Sequence, residues 1–265
     1  MLIPYYHIDS FASELFAGNP AGVCFVPAFP ADGLMQKIAA ENRHSETAFV
    51  VARADGDFDL RWFTPLVEDS LCGHATMAAA FALSLRGQDR WPVRFHTVSG
   101  WLAVDRDGER WVMDFPARRT EACEIPAALL PALGLERAEV LRDQRDFLVE
   151  VEDAEVLSKL KPDLVALGKI DMGIDGGVIV TAAAGETDVD YVCRFFAPGA
   201  GIGEDSATGS IQGTLAPYWA GRMGKQAFRV RQLSARGARM WCEMVGERVK
   251  IGGEARLYLS GGINI

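Results

Sequence analysis

Two kinds of hydrophobic pattern alternate along the chain. Residues 5–11 (YYHIDSF), 22–26 (GVCFV), 47–54 (TAFVVARA) and 57–65 (DFDLRWFTP) are rich in β-branched and aromatic side chains. Gly, Asn, Asp or Pro bound them, so they predict strands. Residues 31–42 (ADGLMQKIAAEN) place Leu34, Ile38 and Ala39 at helical spacing and predict a short amphipathic helix. Residues 73–87 (GHATMAAAFALSLRG) are apolar on most sides and closed by Gly87, the pattern of a buried central helix that starts near Gly73. Residues 93–115 then read as strand, strand, tight Asp-Gly turn, strand. Later, 126–134 and 154–170 predict helices, and 176–184 and 190–198 predict strands. Residues 209–224 (GSIQGTLAPYWAGRMG) predict a helix opened by Gly209 and bent or interrupted at Pro217, whose nitrogen cannot donate. Residues 227–234, 238–245, 247–253 and 255–261 predict closing strands.

The pattern is written twice. RWFTP (61–65) precedes EDSLCGH (68–74), and RFFAP (194–198) precedes EDSATGS (204–210), with a three-residue insertion inside GAGIG (199–203). GER follows each copy, at Gly108 and at Gly246. Three matches in one order at nearly one spacing indicate a duplicated half-chain, and a repeat this long is not a solenoid. Strand-rich halves with antiparallel hairpins and one Gly-flanked helix each predict an α+β fold rather than a doubly wound sheet. The aperiodic stretch 116–125 marks a boundary, giving halves of 1–118 and 119–255.

Composition narrows the function. The 265 residues suffice for two modest cores, and a net charge of −9 without any basic block excludes a nucleic-acid partner. The N-terminal residues have neither a basic nor an apolar signal region, and the most apolar run is too short for a bilayer, so a cytoplasmic protein with no membrane partner is expected. Five scattered cysteines without a Cys-x-x-Cys pair suit a reducing compartment. The four histidines form no metal-ligand spacing, so no metal is expected. The GAGIGED loop lacks dinucleotide spacing, and its acidic end would repel a pyrophosphate, so no cofactor is expected.

In each half a strand ends, a loop carries Glu-Asp, and a glycine opens a helix. A helix N-terminus offers unpaired N–H groups to an anion, and glycine allows close approach. Gly73 and Gly209 therefore predict two anion-binding ends. Alternatively, Asp69 and Asp205 simply cap the helices. The difference between His74 and Ser210 at the last motif position favours function. Glu46, at the entry to an apolar strand, is a candidate general acid/base. Residues 16–23 (FAGNPAGV) predict a turn that could line the site through Asn19.

These residues resemble a known family. FAGNPAGV, SETAF (45–49), RWFTP with LCGHAT (71–76), and GEDSATGS (203–210) are similar to signatures of the PhzF-like phenazine-biosynthesis family, relatives of diaminopimelate epimerase. The resemblance spans essentially the whole chain. It implies two pseudo-symmetric domains, each a curled, mostly antiparallel sheet around a central helix, with the active site in the cleft between them. It also implies a last strand (about 256–265) that rejoins the first half, and a homodimer. By the resemblance, Glu46 is the acid/base group, while His74 and Asp205 hold and protonate the substrate. Gly73, Gly209 and Ser210 would bind its carboxylate, with Asn19 and Cys72 beside them. Where the epimerase relatives carry two thiols, this chain has Cys72 and Thr208, so the two-thiol route is missing. The glutamate motif reads RHSE (43–46) in place of the usual Asn-Leu-Ser-Glu, and Ser206 stands where proline is usual.

The expected activity is a cofactor-independent proton shift within a small unsaturated carboxylic or amino acid. An amino-acid racemase or epimerase, and a non-catalytic binder of small carboxylates, are the competing readings.

Overall fold

The β-branched and aromatic runs form strands in the structure, a computed structural model that describes residues 1–173, 176–185 and 188–265. The strands sort into two units: residues 1–114 with 250–265, and residues 115–249.

The first unit contains β1 (Leu2–Ser10), β2 (Asn19–Phe25), α1 (Asp32–Asn42), β3 (Glu46–Ala52), β4 (Phe58–Phe63) and β5 (Glu68–Asp69). It continues through α2 (Gly73–Leu85), β6 (Val93–Thr97), β7 (Gly100–Asp107) and β8 (Arg110–Pro116). β1 pairs antiparallel with β2, β2 runs parallel to β3, and β3 pairs antiparallel with β4. Along one edge, β4 takes β5 antiparallel and β6 parallel, and β6–β7–β8 follow as antiparallel neighbours.

The second unit contains β9 (Glu121–Ala122), α3 (Leu129–Leu133), β10 (Glu139–Arg142), β11 (Phe147–Glu150), α4 (Ala154–Lys159) and α5 (Leu164–Leu167). It continues through β12 (Val178–Ala183), β13 (Tyr191–Ala197), β14 (Ile202–Asp205), α6 (Gln212–Met223), β15 (Ala227–Gln232) and β16 (Ala238–Val245), and β17 (Arg248–Gly253) is divided between the two units at residue 250. The pairing scheme repeats. β10–β11 is antiparallel, β11–β12 parallel and β12–β13 antiparallel; β13 takes β14 antiparallel and β15 parallel, and β15–β16 is antiparallel. The chain ends in β18 (Ala255–Asn264), which pairs antiparallel with β1 from Leu2 opposite Asn264 to Ser10 opposite Ala255. Both units are thus mixed, mainly antiparallel sheets with helices, an α+β fold built on one scheme used twice.

The doubled motif has a structural cause. Phe63 faces Glu68 across the β4–β5 hairpin, and Phe196 faces Glu204 across β13–β14. In the first copy the Arg61 guanidinium donates to both Glu68 oxygens at 2.7 and 2.6 Å. In the second, Arg194 donates to both Glu204 oxygens at 2.7 and 2.9 Å. Each Arg–Glu fork ties a strand to its short return, because the planar guanidinium matches a carboxylate in two bonds. The GER repeat marks the matching turns, where Gly108 and Gly246 both have positive φ, 62° and 61°.

Helix α2 is buried almost all round; Ala75, Ala78, Ala79, Ala80 and Ala82 are fully inaccessible. It packs on β1, β2, β3, β7 and β18, and its alanine-rich surface lets those strands lie close. A second cluster, Ile3, Cys24, Met35, Ile38, Phe49 and Phe63, seats α1 on the sheet. The core of the other unit is built from Leu133, Phe147, Val149, Leu157, Leu167, Val178, Val180 and Phe196. Among the described residues no helix is long and apolar enough to cross a membrane.

Some elements differ from the sequence expectation. The turn predicted over 16–23 becomes strand from Asn19 onward, because β1 supplies a full partner, Ser10 opposite Asn19 through Tyr5 opposite Cys24. Helix α6 begins at Gln212, not Gly209, after a tight turn in which Gln212 N–H donates to Gly209 O. It runs on through Pro217. The carbonyl that proline leaves without an intrahelical donor belongs to Gly213, and the Arg118 N–H fills it at 2.8 Å. The stretch 154–170 gives two short helices because Pro162 stops the first.

Candidate active site

Glu46 is the first residue of β3 and is 3% exposed. β3 pairs with β2 in the register Ala21 opposite Glu46, which directs the carboxyl group towards the start of α2. There His74, 5% exposed, occupies the second helical position, and its Nε2 lies 3.0 Å from Glu46 Oε2. That separation is ion-pair distance, but the alignment falls short of a hydrogen bond. On the other side of the ring, Asn19 Nδ2 approaches His74 Nδ1 at 3.2 Å and Cys72 Sγ approaches it at 3.4 Å. The Ser45 hydroxyl donates to Asn19 Oδ1 at 3.2 Å, and the Ser10 hydroxyl donates to the His74 carbonyl at 2.7 Å.

The helix start lends this cluster its electrostatics. Cys72 is the N-cap and makes no side-chain cap bond, and the first N–H groups of α2 follow it. They carry the positive end of the helix dipole, which favours an anion. Asp69, ahead of the helix, accepts from Leu71 N–H at 3.2 Å. One ligand atom each from Glu46, Cys72 and His74 lies within 4.8 Å of the others, so these three could hold a metal ion.

The second unit carries the matching turn. Asp205 ends β14 and is 6% exposed. Its Oδ2 accepts from Thr208 Oγ1 at 2.5 Å. Gln232 holds the turn at both ends: its Oε1 accepts from Thr208 N–H, and its Nε2 donates to the Asp205 carbonyl, each at 2.8 Å. Ser234 donates to the Ser206 carbonyl at 2.7 Å. Gly209 is buried, and the Ser210 carbonyl accepts from Arg118 at 3.1 Å. Arg118 also donates to Asp143 at 2.8 Å, and Thr214 donates to the same carboxylate.

Of the residues singled out in the sequence, Glu46, Cys72, Gly73, His74 and Asn19 therefore cluster in the first unit. Asp205, Gly209 and Ser210 share the corresponding turn of the second. Ser45, Ser10, Gln232 and Arg118 are supporting residues that pattern reading did not find. Ser45 had a signal in its adjacency to Glu46; Gln232 acts on a turn far from it in sequence. Burial pushes the thiols of Cys24, Cys193 and Cys242 up to about 12, which leaves them inert at neutral pH.

The strand–turn–helix scheme occurs twice, with a buried Glu–His pair at one helix start, and the chain is an isomerase, as the relatives it resembles are. The phenazine biosynthesis-like family model, PhzC-PhzF, matches residues 8–261, and the chain belongs to that family. It is 47% identical to an uncharacterised isomerase of Pseudomonas aeruginosa over the whole of both chains. It superposes on a PhzF-family phenazine biosynthesis protein of Enterococcus faecalis with TM-score 0.91 at 39% identity, covering all of both chains. A hydroxyproline epimerase of Agrobacterium vitis shares the fold at 14% identity and TM-score 0.62, over 99% of this chain and 92% of that one.

Proposed function

We propose that this isomerase moves a proton within a small unsaturated carboxylic or amino acid, with Glu46 as general acid and base. The observation that carries the reading is the buried Glu46 carboxyl group, 3.0 Å from His74 Nε2 at the start of α2. The ionised carboxylate takes a proton from an activated carbon, and the electron pair left behind delocalises along the conjugated system. Protonated Glu46 then returns the proton at another carbon, so the sum of the steps is an isomerisation with no net proton change. His74 orients the carboxylate, and the N–H groups at the start of α2 stabilise negative charge on the substrate. Gly73 contacts the substrate carboxylate; in the second unit, Asp205, its rotamer held by Thr208, is a second orienting carboxyl on the turn that carries Gly209 and Ser210. The scheme uses only side chains and backbone amides. A homodimer in the cytoplasm belongs to the same reading.

The test is Glu46→Gln, screened by NMR for proton–deuterium exchange against small unsaturated acids and amino acids in heavy water. Loss of exchange by on the order of 10²–10⁴-fold with ligand binding kept supports the role. Full turnover removes it. The Cys72 Sγ contact with the ring favours one second reading, a racemase in which the thiol is the opposing acid. Unchanged exchange in Cys72→Ala would dismiss it.

A further inference from the structure

A neutral imidazole carries one ring proton, and its neighbours decide which nitrogen holds it. For His74, the Nδ1 edge faces Asn19 Nδ2 at 3.2 Å and the Cys72 thiol, itself able to donate, at 3.4 Å, while the Nε2 edge faces Glu46 Oε2 at 3.0 Å. An amide NH₂ group only donates, so Nδ1 opposite it must accept. In that orientation the Ser45 hydroxyl donates to the other end of the amide, Oδ1, at 3.2 Å. Rotating the amide would turn Oδ1 towards the ring and place the proton on Nδ1. The bare Nε2 lone pair would then face a carboxylate oxygen at 3.0 Å, acceptor against acceptor.

We infer that Ser45 and Asn19 are positioning residues that hold His74 as the Nε2–H tautomer, aiming its proton at the Glu46 carboxylate. Asn19 is fully inaccessible, with its Nδ2 3.2 Å from the ring. The backbone makes the relay rigid. Asn19 pairs with Ser10 across β1–β2, and Ser10 in turn binds the His74 carbonyl at 2.7 Å. Residues from two strands and from the segment entering β3 thereby locate one ring relative to one carboxyl group. In chemical terms the relay keeps His74 a neutral donor through the cycle. Glu46 remains the group that gains and loses the substrate proton, and one N–H faces its ionised form at 3.0 Å.

The inference rests on the proposed acid/base role of Glu46, but its primary test does not need turnover. Protein labelled with ¹⁵N-histidine is examined by long-range ¹H–¹⁵N correlation, with His74 assigned through His74→Gln. The wild-type ring should show Nε2 protonated and Nδ1 bare. Asn19→Asp replaces the donor with a carboxylate that only accepts, so the Nδ1 of His74 should become protonated. Ser45→Ala should give a mixture of tautomers, and Ser45→Thr, which keeps the hydroxyl, should restore the single form. A wild-type ring protonated on Nδ1, or a ring unmoved by Asn19→Asp, overturns the inference. If Asn19→Asp does not fold, identical spectra for Ser45→Ala and Ser45→Thr overturn it equally. In the exchange assay Asn19→Asp should lower kcat by up to about 10⁴-fold, as a wrongly held imidazole tautomer does elsewhere. The expected spectra without exchange in any variant would retain the relay and reject the isomerase reading, so the two failures are separable.

Discussion

Asp146 shows how much one buried carboxyl group sets for this fold. It is 1% exposed, and burial pushes its pKa up to about 6, against the opposing pull of Arg145 and Arg118. Neighbouring Asp143 is held below the usual carboxylate range despite its burial, by Arg118, backbone N–H groups and Thr214. A carboxyl group whose folded pKa exceeds its unfolded value binds its proton more tightly when folded. Its contribution to stability is therefore fully present below about pH 4 and is lost as pH rises through about 6. From a shift of about two units, that loss is on the order of 2–3 kcal/mol. Asp146→Asn, whose carbonyl can still accept from Gly177 N–H, should flatten this slope. Urea midpoints for both proteins between pH 4 and 7 would check it, and parallel curves would disprove it. Arg118→Met should cost more, about 3–5 kcal/mol at neutral pH, because it leaves the buried Asp143 charge uncompensated; chemical denaturation measures this directly.

Two elements depend on backbone conformation at single positions. Arg43 ends α1 in the left-handed region, φ 57°, with its N–H on Ala39 O. That reversal leads directly into Ser45 and Glu46. Glycine enters this region without a Cβ penalty, so Arg43→Gly should hold or raise stability, whereas Arg43→Val should lose about 1–2 kcal/mol. Melting temperatures of the two variants should move in opposite directions or differ clearly, and equal losses would contradict the argument. Gly213 in α6 gives the converse case. Intrinsic propensity favours alanine inside a helix by about 1 kcal/mol. A Cβ at Gly213 would, however, lie 2.8 Å from the Pro116 carbonyl, and that atom belongs to the backbone. Overpacking costs about 1–3 kcal/mol, so Gly213→Ala should be destabilising on balance. A raised melting temperature would show that the strand can yield.

At the scale of the whole chain, the final strand closes the first unit rather than the second. β18 lies beside β1 throughout its length, and the Ala12 N–H donates to Glu254 O at the point of entry. Gly253, just before it, is pressed against the Phe11 ring, where a Cβ would come within 2.4 Å of a ring carbon. Removing residues 255–265 would strip β1 of one partner and uncover α2, which packs partly on β18. The truncated chain should lose cooperative unfolding of the first unit, seen in circular dichroism and hydrogen exchange at β1 and β2. A sharp, native-like transition would refute the requirement.

The primary sequence by itself determined the duplication, the strand-rich character of both halves, the central helix at Gly73 and the residues that fall at the two turns. Those properties are local: periodicity, turn chemistry and repeated words such as RWFTP and RFFAP are written in neighbouring residues. Only the tertiary structure decided what those residues do for one another. It turned the repeated Arg and Glu into forked ion pairs, made strand of a predicted turn at Asn19, and moved the start of α6 to Gln212. It also brought Asn19, Ser45 and Cys72 behind the His74 ring, and that ring against the Glu46 carboxyl group. Such choices depend on partners distant along the chain, since a polar atom buried in a sheet takes whichever donor or acceptor packing brings within reach.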